Sequence, residues 1–205
     1  MKRGRNPRSV ALDIVGRIDL QNGSRVGGIV GLDNQQESWV RSTRVKLETL
    51  DSRYFNMELR DKRFDGTVRK AIDDQKPLTT EIIDKLVTRY KANALRFRGE
   101  RIGRTEALHS LNRSEWEATK QAVEMGAVNP SAVTRIWDSA GDLRVRWSHN
   151  RLDGHKVGLD EMFRSPVSGA MMMFPGDSSH GAPGSEVINC RCRVRTEIDW
   201  LAGID

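Results

Sequence analysis

The chain has 205 residues, 37% apolar and 30% charged, with 34 Lys and Arg against 28 Asp and Glu for a formal charge of +6. A chain of that length buries a core without disulfide staples, and two cysteines are too few for a disulfide framework, so a small cross-linked scaffold is excluded. No apolar run approaches the ~20 residues of a membrane span, and the basic start, interrupted by Asp13, Arg17 and Asp19, lacks the apolar stretch of a signal peptide.

Residues 1–31 read as an extended, basic and Gly-rich arm. Four of the first eight residues are Lys or Arg, and "NGSRVGGIVG" holds four glycines in ten residues. Between them, "VALDIVGRIDL" is open to two readings, a pairing strand or a short docked helix. Residues 32–126 read as helical. Asp33 is an N-cap for "NQQESWVRSTRVKLETL", where Trp39, Val40, Thr43, Leu47 and Leu50 share one face. Shorter helices break near Gly66, Pro77 closes that region, and Thr79 caps the next helix. There Ile82, Ile83, Leu86, Val87, Tyr90, Ala94 and Phe97 form an apolar stripe. Gly99 or Gly103 is a candidate bend, and Gly126 is the expected stop. Residues 127–205 change character. "AVTRIWDSA" and "DLRVRWSH", separated by a turn, read as a β-hairpin. Gly- and Pro-rich loops follow, "AMMMFP" reads as a core or interface strand, and "EVINCRCRVRTEIDW" alternates like a final strand. The expected fold class is α+β: an N-terminal helical region packed with a small C-terminal antiparallel β-sheet with long loops.

The two cysteines, Cys190 and Cys192, are one residue apart. On a strand both would point to one face, and with a nearby histidine they make half of a zinc site. Three of the four histidines, His149, His155 and His180, lie in the same C-terminal part. The competing reading is two small buried residues beside a tight loop, since free Cys is often buried. A bridge between them would close a very small, strained ring, so reduced thiols fit better. His149 with Asp153 on a turn is a candidate for acid–base work, and "SHN" resembles the His–Asn elements of metal-dependent nucleases. The alternative is a loop histidine that fixes the turn. In "ERIGRTEALH", Arg101, Arg104 and Glu106 lie within two helical turns, either as a solvated face or as a paired, buried cluster. No phosphate-binding glycine loop or nucleophile-elbow serine is present.

Taken in order, "RIGRTE", "W…GDLRVRWSH..LDG", Phe163, "FPGD" and "INCRC" resemble the motifs of the phage Mu protein F-like minor head proteins. With the helical stretch from "GLDNQQESWV" onward, the resemblance covers roughly residues 26–197. The positions it carries over are Arg101, Thr105, Glu106, Trp137, Arg146, His149, Asp153, Gly154, Phe163, Pro175, Gly176, Asn189, Cys190 and Cys192. Gly103 departs from the family's usual Ala, at a helix cost of about 1 kcal/mol, and little sequence precedes the motifs where many relatives look longer.

The resemblance implies a virion component of a tailed phage, made in the host cytoplasm and active in head morphogenesis. Its implied partners are the portal protein, the major capsid protein and double-stranded DNA bound nonspecifically, with several copies per particle, no membrane and no required catalysis. Its Arg-rich surfaces would meet phosphate. His149, Cys190 and Cys192 are expected close together, holding either a zinc ion or a hydrogen-bonded loop lock. The runner-up is a metal-dependent nuclease or related hydrolase acting on DNA, with His149, Asp153 and Glu106 as its acid, base or ligands.

Overall fold

The computed structural model describes residues 7–21 and 23–201; the first six residues of the expected basic arm, Asn22 and residues 202–205 lie outside the described residues. The fold is α+β. It divides into two compact units that meet at the Gly103–Arg104 step.

In the first unit, the stretch expected as an extended arm contains helix α1 (Pro7–Val15) and a two-stranded antiparallel ribbon, β1 (Arg17–Ile18) with β2 (Arg25–Val26). Two glycines permit this packing. Gly16 has φ +82°, and a Cβ there would lie 2.4 Å from the Val26 carbonyl oxygen; a Cβ on Gly28 would lie 2.4 Å from the Val15 carbonyl carbon. Helix α2 (Asn34–Glu48) starts on a reciprocal cap: Asp33 Oδ1 accepts from Gln36 N at 2.8 Å, and Gln36 Oε1 accepts from Asp33 N at 3.3 Å. After short 3₁₀ turns at Ser52–Asn56 and Lys62–Phe64 comes α3 (Asp65–Asp73), which includes Gly66. Helix α4 (Thr80–Glu124) is continuous through Gly99 and Gly103. Leu47, Tyr54, Val68, Ile83 and Leu86 form the core of this unit. Each such side chain contributes roughly 1.5–3 kcal/mol when fully buried.

The second unit begins within α4. That helix ends as the sequence predicts: Gly126 has φ +71°, its N–H donates to Val123 O, and Ala127 N donates to Ala122 O, each at 2.9 Å. A three-stranded antiparallel sheet follows in the order β4-β3-β7, with β3 (Val133–Asp138) central between β4 (Lys156–Val157) and β7 (Arg193–Ile198). A separate pair joins β5 (Phe163–Arg164) to β6 (Met171–Met172). Short helices α5 (Trp147–Leu152) and α6 (Gly184–Val187) sit within the long loops. The core gathers around Trp137, Phe163, Met172 and Val194. Two outward N–H groups of β7 are taken by α4 side chains: Val194 N donates to Asn112 Oδ1 at 3.0 Å, and Thr196 N to Glu115 Oε1 at 3.1 Å.

Two expected elements are corrected. "DLRVRWSH" is no hairpin strand. Its alternating Leu143 and Trp147 are exposed, Asp142 Oδ1 accepts from Arg144 N at 2.9 Å to make a side-chain turn, and the chain enters α5. The partner that β3 takes is β4, reached through Gly154 (φ +74°), whose N–H donates to Trp137 O at 2.8 Å. The final strand is also shorter than expected. The C-x-C step lies between α6 and β7, where Asn189 adopts φ +59°.

Candidate functional site

Helix α5 turns one face inward, so Ser148, His149 and Leu152 are buried. His149 is 1% exposed and meets the Trp137 ring edge-on, with centroids 5.0 Å apart. Its Nδ1 faces both thiols, with Cys190 Sγ and Cys192 Sγ each at 3.5 Å. Both cysteines are buried and reduced. The three potential ligand atoms lie within 4.8 Å of one another.

The other ring nitrogen, Nε2, lies 3.0 Å from Glu186 Oε2. Glu186 is 3% exposed, and its carboxylate accepts from three hydroxyls: Ser148 at 3.0 Å, Ser165 at 2.7 Å and Ser168 at 2.8 Å. Burial works to raise this carboxyl, but the hydroxyl donors and the neighbouring imidazole outweigh it and hold it below the usual range. An ionised carboxylate only accepts, so the ring nitrogen facing it, Nε2, is the one that donates, and Nδ1 is turned to the two thiols.

The two thiols titrate as one unit. Their mutual hydrogen bond, against burial and with Arg146 nearby, lowers Cys190 to about 7. The same bond, together with burial, pushes Cys192 up.

A cleft of about 190 Å³ opens beside this cluster. His149 and Cys192 line it, with Arg104, Arg144, Arg146 and Arg191 around them. Asp142 positions part of that wall by pairing with both Arg191 nitrogens, one of them at 2.7 Å, and the pairing holds its carboxyl far below the ordinary range.

Several motif residues assemble this loop. Asn189 Oδ1 accepts from Arg104 Nη1 at 2.9 Å, and Asn189 N donates to Thr105 Oγ1 at 2.8 Å. An Arg146 guanidinium nitrogen donates to Ile188 O. Gly154 returns the chain to β3, and Trp137 packs between His149 and Phe163. Pro175 O accepts from Asn112, and Gly176 passes close to His109 on α4. Arg101 belongs to the first unit, where its guanidinium lies over the Phe97 ring.

Of the residues of the nuclease reading, His149 and Asp153 make other contacts. Asp153 is exposed and its Oδ1 accepts from Ser139 N at 2.7 Å, while Glu106 is exposed on α4. Neither is among the hydrogen-bond or ion-pair partners that His149 has among the described residues. His155 is exposed, and His180 lies 3.3 Å from Asp177.

Sequence reasoning did not single out Glu186, the three serines or Asn112. Asn112 is fully buried; its Nδ2 donates to Pro175 O at 2.8 Å and Cys192 O at 3.2 Å, while its Oδ1 accepts from Val194 N. The one available signal was an acidic residue in "GSEV", just before the C-x-C step, in a stretch otherwise poor in acids.

The model of the family described as "Phage Mu protein F like protein" matches residues 66–195. The minor head protein GP7 of Bacillus phage SPP1 is 31% identical over 91 residues, which are 42% of this chain and 28% of that protein. The chain therefore spans little more than a quarter of the length of this curated relative. No solved structure matches the chain. Among the described residues, no helix is long and apolar enough to cross a membrane.

Proposed function

The chain belongs to the phage Mu protein F-like family, and from that premise we propose that it is a minor head protein, built into the phage head and acting in head morphogenesis. The observation that carries this proposal is the family match across 66–195, which takes in all of α4 and the loop cluster of the second unit. The relative named a minor head protein agrees with it.

The finer assignment is a structural role at the portal vertex or capsid interior, in several copies, with nonspecific contact to double-stranded DNA during packaging or ejection. Its support is chemical. The chain carries a net positive charge, and arginines gather around the cleft of the second unit. Guanidinium groups bind phosphate without reading sequence. The role needs no catalysis.

The test is the composition of purified particles. Mass spectrometry of gradient-purified heads should find the protein, and heads from a deletion should be fewer or defective. Intact, infectious heads that lack it would refute the proposal. For the DNA contact, affinity for duplexes of unrelated sequence should be equal and should fall steeply with salt. Binding insensitive to salt would remove that part.

A further inference from the structure

We propose that His149 Nδ1, Cys190 Sγ and Cys192 Sγ bind one zinc ion, with a fourth coordination position open to the arginine-lined cleft.

The distances fit the ion. With Zn–S near 2.3 Å and Zn–N near 2.0–2.1 Å, a tetrahedral angle separates nitrogen from sulfur by about 3.6 Å. Both thiols stand 3.5 Å from the same nitrogen. Without an ion this geometry is poorly served. One imidazole lone pair accepts one proton, so only one thiol can donate to it while the other is left to its neighbour's sulfur, and S–H is a weak donor. An ion uses all three lone pairs. Two thiolates also cancel its double charge, so the buried centre is neutral when both thiol protons have left to solvent.

The surroundings fit as well. A histidine that ligates a metal usually gives its other N–H to a carboxylate, and Glu186 stands 3.0 Å from Nε2. That carboxylate is itself fixed by three hydroxyls, so ring orientation and tautomer are set before an ion arrives. Asn112 holds the backbone at Cys192 through its carbonyl. Two thiolates and an imidazole are a soft-to-borderline donor set that favours zinc over magnesium or calcium.

Three protein ligands leave one corner of a tetrahedron free. His149 and Cys192 line the cleft whose remaining wall carries four arginines. A water or an anionic oxygen of the phosphate class would complete the coordination there. This inference is independent of the head-protein assignment, since a particle component can carry or lack a metal.

Metal analysis of the full-length protein, with cobalt as a spectroscopic probe, decides it. One zinc per chain is expected. Cobalt should bind one to one, with a thiolate charge-transfer band and the intense visible bands of a four-coordinate site. Inorganic phosphate should shift those visible bands; bands unmoved by phosphate would overturn the open position. Glu186→Gln should weaken cobalt affinity by roughly 10–100-fold. The double variant Cys190→Ser, Cys192→Ser should abolish the charge-transfer band; should it fail to fold, thiol counting before and after chelation of the wild-type protein replaces it, with two thiols protected only while metal is bound. A folded wild-type chain that takes up no stoichiometric metal, or an intact mass showing a Cys190–Cys192 disulfide in freshly purified protein, would overturn the site.

Discussion

Glu186 Oε2 is shared by two neighbours on one turn of α5: His149 Nε2 and Ser148 Oγ both reach it at 3.0 Å. The other oxygen takes Ser165 and Ser168. One carboxylate therefore ties α5, the β5–β6 loop and α6 into a single buried network. Such networks are stable when every member is satisfied and costly when one is removed. Replacing Glu186 by Ala leaves several buried polar groups without an acceptor and should cost on the order of 3 kcal/mol. Gln keeps the shape and one acceptor, so Glu186→Gln should cost clearly less. Urea denaturation of both variants checks the order, and equal losses would show that the carboxylate charge, not the shape of the side chain, holds the network.

The Asn112 side chain bonds to Pro175 O, Cys192 O and Val194 N together. Asn112→Ala should destabilise the protein by roughly 3 kcal/mol, because buried backbone groups lose their partners. Asn112→Asp should be worse than Ala, since it faces two carbonyl oxygens with a carboxylate. Thermal unfolding of both variants, followed by circular dichroism, measures this ranking.

Arg135 is fully buried on β3. Its Nε donates to Gly158 O at 3.0 Å, and its terminal nitrogens donate to Met173 O and Glu161 O. Burial lowers its pKa to about 10, although Asp160 and Glu161 act in the opposite direction. The planar fork serves three carbonyls in different directions, which an ammonium does not reproduce. Arg135→Lys should therefore lose roughly 2 kcal/mol or more, a large cost for a change that keeps the charge. Denaturant midpoints compared with Arg195→Lys, on an exposed side chain, isolate the effect.

Asp177, like Glu186, contributes to the acid limb of stability. Its carboxylate is buried and accepts from Met173 N and Ser179 N at 2.8 Å, and from Ser179 Oγ at 2.6 Å. Burial opposes ionisation, but those donors and His180 prevail and hold the carboxyl below its usual range. A group with a lowered folded pKa adds stability above its unfolded value, near 3.9, and loses it as pH falls through the folded value. Stability should therefore decline below about pH 4, and Asp177→Asn should flatten that decline. Unfolding curves from pH 7 downward test it; an unchanged slope in the variant would assign the acid loss elsewhere.

Much of the helical part was legible because its information is local and periodic. Val40 and Leu47 on α2, and Ile83 and Leu86 on α4, recur at helical spacing, and Asp33 and Gly126 are boundary residues with a defined chemistry. The α+β class follows from the same patterns. The cluster around His149 was legible only in part. C-x-C with a nearby histidine is a short motif, whereas Glu186, Ser165 and Asn112 are single polar residues whose partners are set by tertiary approach. The alternation of Leu143, Val145 and Trp147 imitated a strand because period two says nothing of whether a surface exists to cover it. Here Asp142 turns the chain first, and Arg191 holds Asp142 in place.

The outer margin of β7 has a wider consequence. A six-residue strand at the rim of a sheet is ordinarily a template onto which a neighbouring chain adds another strand. In this molecule Asn112 and Glu115 already occupy the outward amides of Val194 and Thr196. Backbone pairing with a further strand is blocked at those two positions. A partner approaching along that stretch would then meet side-chain surface, whose shape and charge discriminate between partners in a way that a bare strand edge does not.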